Sequence, residues 1–150
     1  MYHGERFNAY SHLAGSMLAV AALVLMTVKA NGPYQLASAL TYGICLILLY
    51  LGSTLYHSIP QPKIKAILQK VDHCMIYLLI AGSYTPFTLI PLKGSWGWSL
   101  FGVSWGLALF GIIQELTIGR KSEKRLLSMM IYIIMGWLIL VAVSPLVRTL

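Results

Sequence analysis

Imidazole, carboxylate and hydroxyl side chains lie where long apolar runs of this sequence begin or end. Ser53 and His57 are four residues apart, so in a helix they would share one face. Asp72 opens the next apolar run, and antiparallel neighbouring helices would bring it to the depth of His57. Neutral imidazole is a good zinc ligand, and a carboxylate can bind a metal ion or orient a water on it. The spacing therefore predicts Ser53, His57 and Asp72 as candidates for a zinc or proton-transfer site.

A second polar set lies near the start of the chain. Glu5, Asn8 and His12 follow i, i+3, i+7 spacing, which puts them on one helix face at the same end of the bundle as the first set. Plainer interpretations stay open for both sets. The N-terminal set would then be only a polar helix turn, His57 a side chain that reaches the lipid headgroups, and Asp72 a helix cap.

Three further residues are interpreted as structural. His73 is adjacent to Asp72 and therefore points about 100° away from it on a helix. Cys45 and Cys74 lie inside apolar runs and form no C-x-x-C pair, which indicates small packing residues rather than a disulfide or zinc-ribbon framework.

Membrane-spanning helices must position these side chains. Hydrophobic residues make up 58% of the 150 residues and charged residues 10%, whereas a soluble domain carries about 25% charged residues. A bilayer core of about 30 Å takes about 20 apolar residues in a helix, and lipid forces the backbone hydrogen bonds to close within each segment. The sequence thus predicts an all-α membrane protein, one transmembrane domain over residues 1–150. Its five apolar runs are approximately Ala9–Val28, Tyr34–Tyr56, Val71–Ile90, Trp96–Leu116 and Leu126–Val143.

Two further features of the sequence predict local structure, one within an apolar run and one in a connection between runs. Gly102 and Gly106 form a small-xxx-small pair in the fourth run, which predicts close contact with a neighbouring helix. The stretch Gln61–Lys70 is either a short interfacial helix or a solvated basic loop.

The basic residues predict the orientation in the membrane. The net charge is +7, but the basic residues lie between apolar runs and form no patch for nucleic acid. The positive-inside rule places the N-terminus in the cytoplasm, and five spans then place the C-terminus outside. Eight basic residues lie on the side of the N-terminus and three on the other: Arg6, Lys63, Lys65, Lys70, Arg120, Lys121, Lys124 and Arg125 against Lys29, Lys93 and Arg148.

Several motifs, in order along the whole chain, resemble those of hemolysin III proteins in the progestin and adipoQ receptor superfamily. They are Glu5-x-x-Asn8-x-x-x-His12, Ser53-x-x-x-His57, Asp72-His73-x-x-Ile76-Tyr77-x-x-Ile80-Ala81-Gly82-Ser83-Tyr84-Thr85-Pro86 and Met135-Gly136-Trp137. The resemblance implies a seven-helix fold with a cytoplasmic N-terminus, of which this chain would hold five helices.

The resemblance also implies a zinc site near the cytoplasmic face. By position, His57 looks like a zinc ligand, Asp72 like the carboxylate that holds a zinc-bound water, and Ser53 like a hydroxyl close to that water or to a ligand. The family's other two zinc histidines form an H-x-x-x-H on the seventh helix, and this sequence contains no such motif. The expectation is therefore a C-terminally truncated member with an incomplete zinc site.

Two classes of function follow from the resemblance, and a third, plainer interpretation is an inert fragment or a helix-packing partner. One is a zinc-dependent hydrolase of lipid amides, similar to membrane ceramidases, or a membrane-homeostasis protein. The other is a cytolytic pore-forming hemolysin or a non-enzymatic receptor, and the choice between enzyme and non-enzyme stays open. In either class the expected partners are membrane lipids, with no nucleic acid, and the expected location is the cell membrane with several spans.

Overall fold

The computed structural model describes residues 3–117 and 126–149, and these form a helical bundle with no β-strand in the described part. Both Pro33 and Pro62 open helices, where the missing proline N–H has no helical partner to lose. The helices are α1 (Arg6–Lys29), α2 (Pro33–Ser58), α3 (Pro62–Leu89), α4 (Ser95–Thr117), α5 (Leu126–Trp137) and α6 (Val143–Val147), with 3₁₀ turns at His3–Glu5 and Leu138–Ala142. The predicted all-α class is confirmed.

Four stretches are long and apolar enough to cross a membrane: α1, α2, α4 and Leu126–Val147. Their large apolar side chains point outward, as at Phe7 and Leu25 of α1, so this surface suits lipid. Helix α3 has more polar groups, including Asp72 and His73, and packs between α2 and α4 with further contacts to α5. Its polar side chains are tolerated because the neighbouring helices, rather than lipid, surround much of it.

Helix α3 begins nine residues before the predicted third run, which started at Val71. The stretch Gln61–Lys70 is neither a solvated loop nor a separate interfacial helix, because Pro62 onward is continuous with α3. Two lysines connect the part of α3 that precedes Val71 to the rest of the bundle. Lys65 Nζ is 2.6 Å from Glu5 Oε2, and Lys70 Nζ donates to the Leu116 carbonyl at 3.2 Å.

The fifth run is not one continuous α-helix. Helix α5 ends at Trp137 and a 3₁₀ segment follows. The hydroxyl of Tyr84, on α3, donates to the Met135 carbonyl at 2.6 Å and accepts from the Ile139 N–H at 2.9 Å. A side chain inserted into the helical hydrogen-bond ladder explains the break, and it joins α3 to the fifth span.

The small residues that permit close helix packing are not the pair that the sequence indicated. A Cβ at Gly102 or Gly106 would meet no atom of another described helix within 4 Å, so the prediction of a close contact there is wrong within this part of the chain. Gly111 fills that role instead, since the ring of the fully buried Tyr77 lies against it. Spacing identified small residues on α4 but not the face that meets α3.

We expect the chain to lie with the N-terminus in the cytoplasm. The sequence places more basic residues on the side of the N-terminus than on the other, although Arg120, Lys121, Lys124 and Arg125 of that count lie outside the described residues. The loop before α3 should therefore be inside and the loop before α4 outside. A membrane-impermeant thiol reagent applied to intact cells should label Lys93→Cys and leave Lys63→Cys unlabelled; both lysines are exposed, and the native Cys45 and Cys74 are buried. The reverse labelling pattern would contradict the orientation.

Candidate functional site

The N-terminal half of α1 and the C-terminal end of α2 bring together three of the residues that the sequence singled out. His12 Nδ1 and Ser53 Oγ are 2.7 Å apart and hydrogen-bonded. The rings of His12 and His57 meet edge to face, with 5.9 Å between their centroids. Ser53 and His57 are one helical turn apart on α2, so the face that carries them both is turned towards α1. Ser53 is buried and both histidines are partly buried.

Glu5 and Lys65 complete this polar cluster. The Lys65 ammonium lies 2.6 Å from Glu5 Oε2 and donates to the Tyr56 carbonyl at 3.0 Å. Glu5 Oε1 is 3.9 Å from His57 Nδ1, which is too long for a hydrogen bond although the two groups form a loose ion pair if the imidazole is protonated. The sequence analysis used Lys65 only in the count of basic residues that predicts the orientation. Its contact with Glu5 was not predicted, because nothing in the local pattern showed that the N-terminal turn would fold against α3.

One nitrogen in this cluster lacks a hydrogen-bond partner. His57 Nδ1 is buried and forms no hydrogen bond with any residue in the described ranges. Asn8 and Asp72, also predicted as site residues, are partly buried on α1 and α3. Within residues 3–117 and 126–149 the Asp72 carboxylate forms no hydrogen bond or ion pair, so its role beside His57 stays a prediction.

Comparison with known proteins assigns the family. The model of the family "Haemolysin-III related" matches residues 1–150. The chain belongs to the haemolysin III family. It is 46% identical over 149 residues to Hemolysin-3 of Bacillus cereus, which covers 97% of this chain and 67% of that protein. It is 43% identical over 149 residues to the Hemolysin-3 homolog of Bacillus subtilis strain 168, with 97% and 69% covered. No solved structure matches it significantly.

The residues of this haemolysin III protein fit a bound zinc ion only in part. The unpartnered His57 nitrogen is a suitable ligand, and the oxygen atoms of Glu5, Ser53 and Asp72 are suitable in chemical type. However, the described residues contain no group of three or more His, Cys, Asp or Glu side chains placed to hold one ion. A catalytic zinc site generally uses about three protein ligands and an open position. The described cluster is therefore a partial set of ligands.

A second buried polar cluster lies between α3, α4 and α5, and it contains Glu115, a residue to which the sequence motifs gave no role. His73 Nδ1 donates to Glu115 Oε1 at 2.9 Å, and the Ser128 hydroxyl donates to Glu115 Oε2 at 3.0 Å. The Glu115 side chain is only 4% exposed, and the Tyr132 hydroxyl donates to the His73 carbonyl at 3.1 Å. This agrees with a structural role for His73. Acidic residues are rare inside apolar runs, so the position of Glu115 within the fourth run could have identified it from the sequence.

Proposed function

We propose that this haemolysin III protein is a metal-dependent hydrolase of lipid amides in the cell membrane, with its site at the cytoplasmic ends of α1, α2 and α3. The observation that carries the proposal is the buried His57 Nδ1 atom, which has no hydrogen-bond partner among the described residues. Leaving a buried polar atom unpaired costs about 1 to 3 kcal/mol, so a partner from outside the described residues, such as a metal ion, a water molecule or a substrate group, would stabilise this nitrogen. An imidazole nitrogen in that position is suited to bind a metal ion.

The other residues of the cluster have complementary roles in this proposal. His57 would hold zinc, which when bound supplies Lewis-acid polarisation of the amide carbonyl and activation of a water molecule. Asp72 would supply a carboxylate that can accept a hydrogen bond from a water molecule and take up a proton. The hydrogen bond between His12 and Ser53 would keep the Ser53 hydroxyl fixed on the face of α2 that carries His57.

The depth of the cluster fits a lipid substrate. The side chains lie at the ends of membrane-spanning helices, where the bilayer changes from acyl chains to headgroups. The amide of an N-acylated lipid lies at this same boundary, between its acyl chain and its polar group. A substrate could therefore reach the cluster from the plane of the membrane without leaving it, and membrane lipids are the partners that the proposal requires.

A second candidate function is membrane lysis, which the names of the two relatives favour. Both are named Hemolysin-3 or a homolog of it. Pore formation would not need the His57 nitrogen, so metal dependence separates this candidate from the hydrolase.

We expect the purified chain to release fatty acid from an N-acyl lipid in zinc-containing micelles and to lose this activity when a chelator is added. The expected activity is low, because the described ligands are fewer than the three that a stable catalytic zinc site uses. Dye-loaded vesicles of the same lipid, treated in parallel, report lysis. Leakage that persists in chelator, with no fatty acid released under either condition, would reject the hydrolase and support the lytic function.

A further inference from the structure

We propose that the end of the bundle opposite to His57 binds one anionic glycerophospholipid, in a cavity between α1, α2 and α3. The cavity has a volume of about 340 Å³, within the range of small-molecule sites. Gln35, which lines it, is 22 residues before His57 on α2, about 33 Å along the helix. The proposal therefore goes beyond the proposed function and does not depend on a metal ion.

One face of α2 lines the cavity. Gln35, Ser38, Ala39 and Tyr42 follow i, i+3, i+4, i+7 spacing, and all four are in contact with it. The opposite walls are mostly apolar side chains of α1 and α3: Leu25, Met26, Pro86 and Ile90. A polar stripe that faces apolar walls suits a ligand with a polar group at one end and an acyl chain at the other.

The buried Ser38 hydroxyl indicates that a ligand belongs in this cavity. Ser38 is 2% exposed, and its Oγ forms no hydrogen bond with any residue in the described ranges. Other hydroxyls in these helices donate to the carbonyl four residues earlier, as at Thr27, Thr54 and Thr85. A buried polar group without a partner is destabilising. A ligand oxygen in the cavity would accept the hydrogen bond that Ser38 does not form within the described bundle.

The charged and polar groups around the cavity select an anion. Lys29 ends α1, is exposed and forms no ion pair with any described residue. The Gln35 side-chain oxygen accepts from the Asn31 N–H at 2.7 Å, which leaves the amide NH₂ group of Gln35 to donate. None of the described residues that line the cavity is Asp or Glu, so the amine of a zwitterionic headgroup would find no carboxylate there.

The donors lie at two depths, which favours a glycerophospholipid over a fatty acid or a free phosphate. Lys29 and Gln35 lie beside the connection between α1 and α2, where the headgroups begin. Ser38 lies three residues, about 4.5 Å, deeper along α2. A glycerophospholipid has its phosphate among the headgroups and its ester carbonyls just deeper. The phosphate would accept from Lys29 and Gln35, and an ester carbonyl would accept from Ser38.

The test is native mass spectrometry of the purified full chain in micelles, titrated with phosphatidylglycerol. We expect one lipid to be retained per chain. Lys29→Met should weaken binding about tenfold, because a charge-assisted hydrogen bond to the phosphate is lost. Ser38→Ala should weaken it about fivefold, the effect of one neutral hydrogen bond. In lipid-free micelles Ser38→Ala should unfold no more easily than the natural chain, because the hydroxyl has no partner among the described residues.

Two matched variants serve as controls and should bind the lipid as the natural chain does. Lys93→Met removes the same charge at the same end of the bundle, but Lys93 does not line this cavity and lies over the Tyr34 ring, 4.2 Å from its centroid. Ser104→Ala removes a buried hydroxyl that donates to the Phe101 carbonyl on α4. Equal weakening by Lys93→Met and Lys29→Met would show a general attraction of charge and would overturn the proposal.

Competing ligands distinguish the phospholipid from simpler ones. Diacylglycerol with the same chains lacks the phosphate, palmitate lacks the ester carbonyls, and inorganic phosphate lacks the acyl chains. Each should displace phosphatidylglycerol at least about tenfold less well, since each loses one set of contacts. Displacement by any of them as effective as by phosphatidylglycerol itself, unchanged affinity in Ser38→Ala, or no lipid retained by the natural chain would each refute the phospholipid site.

Discussion

Replacing Glu115 by alanine should lower the free energy of unfolding by about 3 kcal/mol, the upper end of the usual cost of leaving a buried hydrogen-bond donor unsatisfied. Glu115 accepts from His73 on α3 and from Ser128 on α5, so its carboxylate links three helices. The substitution would leave His73 Nδ1 and the Ser128 hydroxyl without this acceptor inside the bundle. The described part of the chain offers no second carboxylate that contacts them.

Denaturant unfolding in micelles measures this loss. Glu115→Gln keeps the volume and one acceptor oxygen, so it should lose less than the alanine variant. Leu116→Ala is the matched control, because Leu116 is the next residue on α4 and is 51% exposed. We expect the control to stay within about 0.5 kcal/mol of the natural chain. An alanine variant at Glu115 that unfolds like the Leu116 control would show that the His73–Glu115–Ser128 contacts contribute little.

Replacing His57 by alanine should reduce zinc-dependent release of fatty acid by at least about 100-fold, since even residues that only support a metal ligand commonly cost 10- to 100-fold. The reason is that His57 Nδ1 is the buried, unpartnered nitrogen around which the proposed site is built. Initial rates at saturating zinc, with bound zinc measured on the same samples, give the result.

His12→Ala is the informative companion variant. It removes the hydrogen bond to Ser53 and the ring contact with His57, but it leaves the His57 nitrogen in place. A loss of about tenfold is expected if His12 only orders the site. A loss as large as that of His57→Ala would instead indicate that His12 is itself a ligand. Full activity of His57→Ala, with the unfolding transition unchanged, would refute the proposed site.

Several properties of this protein follow from the sequence by itself. Apolar runs of about 20 residues leave helices as the spanning structure, because lipid offers no hydrogen-bond partner to an open backbone. The second predicted run, Tyr34–Tyr56, differs from α2, Pro33–Ser58, by only one or two residues at each end. The one-turn spacing of Ser53 and His57 is enough to put them on one face of a helix. The motifs also indicated the haemolysin III family, which the comparisons confirm.

Contacts between distant segments were decided only by the tertiary structure. Lys65 and Glu5 are 60 residues apart, and their pairing required α1 and the start of α3 to meet at one end of the bundle. The stretch before Val71 that carries Lys65 is part of α3, whereas its local pattern fitted both a helix and a loop. Glu115 acquires its partners from α3 and α5, and Gly111 rather than Gly102 receives the ring from α3.

The physical reason is the same in each of these cases. Hydropathy and helical period specify which residues share a face of one helix, but the rotation of that helix against its neighbours depends on packing over its whole length. In lipid an apolar stripe does not by itself point inward, because the surroundings are as apolar as the core. The buried polar atoms that hold this bundle together, at Glu115 and Tyr84, therefore became identifiable only once their partners were in place.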